Sequence, residues 1–368
     1  MNKKWFTILA TTVMLGAIFA FNQWAIPSEA QSDSSSGSKA KNADIESPGL
    51  ETMNGEKVNG VKQYELTAEP VTQKFTDGFK AKAWGYNGSS PGPTLVAKEG
   101  DTVEITVNNN LPEATSIHWH GLEVPNDMDG VPMVQDSPKI KPGESYTYKF
   151  QLEQSGTYMY HSHTNVSKQE LMGLAGSFVI QPKKQNQQVD RDIVMMLQEW
   201  TLKGAGGHGS MDMNTGNDMN MEQGNSGDNH DGESMKTDEN KSGVYEINPM
   251  GMEPNMFTIN GKSYPSTESI KVTKGETVRI RFTNLSGNSH PMHMHGDDFK
   301  VVAADGNRIS KAAQLEKNTI NVAPGETWDV EFTAENLGKW PIHCHKPHHT
   351  MNANGETGGM FTIIEVTE

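Results

Sequence analysis

At 368 residues the chain has room for two domains of ordinary size plus tails. Its formal net charge of -15 excludes the basic face that nucleic acid or an anionic membrane surface requires, so cations are the natural partners. It carries a single cysteine, and so no disulfide within the chain staples either domain.

Two lysines followed by an apolar run from Trp5 to Phe21, and then by Ser28-Glu29-Ala30, read as a signal peptide over residues 1–30 or an uncleaved N-terminal anchor. Either form places the protein outside the membrane: extracellular, periplasmic or on the cell surface. Residues 31–60 are small and polar and predict a flexible linker. A first domain is expected over 61–185 and a second over 251–368. Between them, residues 186–250 recover apolar character only at DIVMMLQEW (Asp192–Trp200), then run through a Met-rich loop at 205–242 with neither helical nor strand period.

The two domains repeat each other. Residues 100–121 (GDTVEITVNNNLPEATSIHWHG) align with 275–296 (GETVRIRFTNLSGNSHPMHMHG), and the PGE-initiated stretch ending at His163 aligns with the one ending at His345. Short alternating runs such as TVEITV and TVRIRF, set between Gly, Pro and Asn turns, are half-buried strands. The expected fold is all-β, two Greek-key β-sandwich domains in tandem.

H-x-H pairs fall at 118/120, 161/163, 293/295 and 343/345. Chance predicts about 0.5 such pairs in this composition, so four at repeat-matched positions are not noise. Residues i and i+2 of a strand point the same way, so each pair offers two imidazoles to one face, and eight suit a cluster of metal ions rather than one. Cys344, between His343 and His345, points to the opposite face. Without a cysteine partner it is a buried thiol, a nucleophile or a metal ligand, and its histidine company favours copper or zinc. His290 and His349, with a thioether nearby, complete a donor set of the blue-copper kind around it.

The motifs HWHG, HSH, HPMHMHG and HCH together resemble the signature set of the multicopper oxidases, and one copy of each over two cupredoxin-like repeats is similar to the two-domain, small-laccase branch. The resemblance covers residues 64–368. It implies that His290, Cys344 and His349 bind type 1 copper, that His118 and His293 bind type 2 copper, and that His120, His161, His163, His295, His343 and His345 bind the type 3 pair. Cys344, His343 and His345 would then carry electrons to the cluster, and Asp129 in NDMDGVP resembles the family's acidic proton supplier. The branch forms a homotrimer, with the cluster assembled between one subunit's first domain and a neighbour's second. The chain departs from the family five positions after His349, where Asn354 replaces the usual axial Met. Met360 is the expected substitute, with Met351 as the alternative, and spacing favours His349 over His348.

That resemblance implies one-electron oxidation of a donor coupled to four-electron reduction of O2 to water. Met211, Met213, Met219, Met221 and Met235 stand in a polar segment with no core to fill, and thioethers are good ligands for Cu(I). The expected donor is therefore Cu(I), in copper tolerance. A laccase acting on phenols is the alternative; a copper nitrite reductase lacks the full eight-imidazole cluster, and a non-enzymatic copper carrier needs none.

Overall fold

A computed structural model describes residues 43–184, 188–205 and 243–368. The expected signal peptide and nearly all of the Met-rich loop lie outside the described residues. What is described is built almost wholly of strands, in two sandwiches of two sheets each.

The first sandwich sets a six-stranded sheet, centred on Val61–Thr76 and Thr102–Asn109, against a five-stranded sheet that carries the strands His118–His120 and Gly156–His161. Thr102–Asn109 shows why these residues make such a layer: Val103, Ile105 and Val107 are buried while their alternating neighbours are half-buried. They meet Leu95, Trp119 and Phe178 of the opposite sheet in one core. The second sandwich repeats the plan with an eight-stranded sheet and a five-stranded sheet holding His290–Met294 and Gly338–Cys344. Its core joins Ile280, Phe282 and Val330 from one sheet to Met292, Ile342 and Cys344 from the other, with Met360 from the bend before the last strand. The all-β, tandem Greek-key cupredoxin-like architecture is thus the observed one.

Two boundaries differ from expectation. Residues 31–60 are not wholly a linker, because Ile45–Glu46, Thr52–Met53 and Glu56–Val58 are strands. At two or three residues each they are too short to show a period. Within the interdomain stretch 186–250, Arg191–Trp200 is an interior strand of the second sandwich, parallel to Thr277–Asn284. Nine of its ten residues are buried, so both faces are covered and the sequence reads as an apolar run instead of an alternation.

The second sandwich carries a network of buried charges on the side that meets the first. Arg281 pairs with Asp192 at 2.6 Å and Asp329 at 2.9 Å, and Arg279 pairs with Asp192 and Glu331. Thr157 of the first sandwich joins this network, accepting from Arg281 and donating to Asp329. Removing one partner of such a buried set costs about 3–5 kcal/mol because the other charge is left unpaired.

Candidate metal centre

The repeat reproduces its strand register. His118 lies opposite His161 in the first sandwich, and His293 lies opposite His343 in the second. Trp119 turns into the core while His118 and His120 turn outward. Likewise Ile342 and Cys344 face the core while His343 faces out. The strand alternation therefore puts Cys344 on one side of its sheet and its flanking imidazoles on the other.

On the core side, His290, Cys344 and His349 are all buried and present three donor atoms to one point. The Nδ1 atoms of His290 and His349 are 3.1 Å apart, and Cys344 Sγ is 3.8 Å and 3.4 Å from them. A point equidistant from all three lies about 2.0 Å from each, the length of a metal–imidazole bond. The tautomer is suitable: Ser286 Oγ donates to Asn284 Oδ1 and so accepts from His290 Nε2 at 2.8 Å, leaving the Nδ1 lone pair aimed inward. Burial holds His290 and His349 neutral, pushing them down to about 3 and about 2, and raises the Cys344 thiol to about 11. A bound cation would displace that thiol proton. The residues fit a trigonal copper site.

Met360 adjoins this centre through its backbone. Its carbonyl accepts from Cys344 N at 3.0 Å and its amide donates to His349 O at 2.8 Å, with the side chain fully buried. Met351 is half-buried and bridges to Thr357. His348 is exposed, whereas His349 stacks on Phe257 with ring centroids 4.0 Å apart.

The outward imidazoles form two groups. His118, His120, His161 and His163 contact one another, and donor atoms of the first three lie within 4.8 Å. His293, His295, His343 and His345 make the second group. Among the described residues, no imidazole of one group touches one of the other. Carbonyl oxygens can only accept, so the bonds from His118 Nδ1 to Asp129 O, His161 Nδ1 to Ser162 O, His293 Nδ1 to Asn318 O and His343 Nδ1 to Cys344 O fix four tautomers. Each leaves an Nε2 lone pair for a metal. His120 offers Nδ1, 3.2 Å from His161 Nε2. Burial pushes His120 down to about 4.

Asp129 reaches this first group as well. Its Oδ1 is 3.2 Å from His118 Nδ1, and Gln135 Nε2 donates to its Oδ2 at 2.6 Å. The loop can approach because the next residue is Gly130: a Cβ there would lie 1.7 Å from Ile117 O.

Sequence reasoning missed three partners. Glu170 Oε1 stands 2.6 Å from His161 Nδ1. Phe257 forms the floor under His349, and Glu199 lies behind both imidazoles of the Cys344 centre. Of these, Glu199 alone left a sequence signal, an acidic residue near the end of the apolar run DIVMMLQEW.

Two sequence profiles described as multicopper oxidase match residues 67–185 and 236–355. The multicopper oxidase mco of Staphylococcus aureus is 28% identical, over 84% of this chain and 90% of its own length. Copper resistance protein A of Pseudomonas syringae pv. tomato is 32% identical over 78% of this chain, which spans 48% of that longer protein. Among solved structures, the multicopper oxidase mgLAC superposes with a TM-score of 0.68 at 32% identity, covering 83% of this chain and 86% of its own. With the duplicated sandwiches, the buried Cys-His donors and the repeated imidazole pairs, these matches establish an oxidoreductase: the chain belongs to the multicopper oxidase family.

Proposed function

We propose that this oxidase is exported and takes its electrons from Cu(I), in copper tolerance, passing them from the Cys344 centre to a histidine cluster that reduces O2 to water. The observation that carries the electron route is the alternation at His343-Cys344-His345, which makes one peptide segment the shared wall of both sites. Bound copper would supply reversible one-electron chemistry at His290, Cys344 and His349, and four-electron oxygen chemistry at the imidazole cluster. The chain's own part is to hold the buried donors neutral and preoriented, and the fully buried Met360 thioether would be a further donor to a bound ion. Cys344 is covalently continuous with His343 and His345, so an electron leaving its sulfur has a bonded path to either imidazole. Asp129, whose Oδ1 is 3.2 Å from His118 Nδ1, would supply protons for the reduction of O2.

The cluster is proposed to be shared between copies of the chain in a homotrimer. Four imidazoles from each sandwich form separate groups, and His295 and His345 of the second are exposed. A facing group from a neighbour would complete eight ligands, His118 and His293 holding one ion and the other six a pair.

Support for Cu(I) comes from where the Met-rich segment is attached. The described chain leaves at Ala205, whose carbonyl accepts from Asn255 Nδ2 at 3.4 Å, and Asn255 directly precedes the strand Met256–Ile259 that floors His349. In the turn just before it, Met250 and Met252 are 73% and 94% exposed, thioethers offered to solvent beside that attachment. A relative named copper resistance protein A agrees with this reading. Oxygen uptake should be measured with Cu(I) and separately with a phenol, in the full chain and in one lacking residues 206–242. The expected result is a selective fall, about tenfold, in the Cu(I) rate. Equal rates in both chains would favour a laccase acting on phenols.

A further inference from the structure

Strands Arg191–Trp200 and Met256–Ile259 pair antiparallel with Glu199 directly opposite Phe257. Directly opposed residues share a face, so the strand pair that lays Phe257 under His349 also delivers the Glu199 carboxylate to the same centre. Glu199 is 7% exposed. Its Oε2 accepts from Asn288 Nδ2 at 3.0 Å, but its Oε1 is buried without a hydrogen bond. That oxygen lies 3.6 Å from His290 Nε2 and 3.8 Å from His349 Nε2, behind the two rings whose Nδ1 atoms converge with Cys344 Sγ.

A buried carboxylate oxygen with no donor is costly unless a cation compensates it. Lys346 supplies part of that compensation, since its charge is felt at Glu199, at Cys344 and at both histidines. Burial itself raises the Glu199 carboxyl, and a cation held in the donor triangle would favour its charged form. A merely structural role, pinning Asn288 and the turn that carries Ser286, would be served as well by the isosteric amide.

We infer that Glu199 is a positioning residue for the Cys344 copper, its negative charge stabilising the oxidised ion and lowering its reduction potential. This rests on the reading of His290, Cys344 and His349 as a copper site. Cu(II) carries one more positive charge than Cu(I), so a fixed negative charge behind both imidazoles favours it. The two rings transmit this field without Glu199 joining the ligand set.

The test is a redox titration of the full copper-loaded chain, read by the blue absorption, for the parent, Glu199→Gln and Glu199→Asp. A neutral amide is easier to bury than a carboxylate, so the Gln variant is expected to fold. Its potential should rise by about 59 mV or more, a tenfold loss of preference for Cu(II) over Cu(I), while Glu199→Asp stays near the parent. An unmoved potential in the Gln variant overturns the inference alone. Equal shifts in both variants overturn it too, because shape and not charge would then be acting, and so does a Gln variant that fails to fold. A parent that binds copper without a blue band overturns the copper-site reading and this inference with it.

Discussion

Cys344→Ser is expected to abolish the blue absorption and to lower oxygen uptake by at least about a thousandfold. The thiolate is the one donor of its triangle that also belongs to the segment bearing His343 and His345. A serine hydroxyl neither ionises at neutral pH nor offers a soft donor, so the trigonal set drops to two imidazoles. The side chain is fully buried and the replacement is close in size, so the fold should persist. The outward imidazoles are untouched, and electron paramagnetic resonance should still show copper in the cluster. Loss of the blue band with retained cluster copper is the combination that separates a broken electron route from a collapsed protein.

The second large effect concerns how the cluster is assembled. His161→Ala with His163→Ala disables the first imidazole group, and His295→Ala disables the second; each chain alone should lose about a thousandfold in oxygen uptake. Produced together in equal amounts and allowed to mix, the two should recover roughly one quarter of the parent rate, because random assembly pairs an intact first group with an intact second group at about one interface in four. A cluster built inside one chain would recover nothing. Purified single variants, mixed without exchange of subunits, supply the baseline.

Much of this was legible in the sequence because strand alternation is a rigid rule. The H-x-H spacing puts two imidazoles on one face, and the structure finds His118 and His120 both turned outward about the core-facing Trp119 for that reason. Cys344 pointing the other way follows from the same rule. His349 over His348 was readable from spacing, and its burial against Phe257 agrees. What was not legible depends on distant pairing. The strand Arg191–Trp200 belongs to the second sandwich through its register with Thr277–Asn284 and Met256–Ile259, and nothing local announces those partners. Glu199 was visible as an acidic residue in an apolar run, but its proximity to His290 and His349 was not, because that strand's place in the sheet creates it. Glu170 reaches His161 from a short helical turn that carries no motif. Composition and periodicity describe one segment at a time, whereas these contacts belong to the assembled sandwich.

The central claim is tested most directly by counting Cu(I) oxidised per O2 consumed by the copper-loaded protein, with hydrogen peroxide assayed in the same vessel. Full reduction of O2 to water takes four electrons, so the account predicts about four Cu(I) per O2 and no peroxide. A ratio near two with peroxide accumulating, or no oxygen uptake at all, would contradict it.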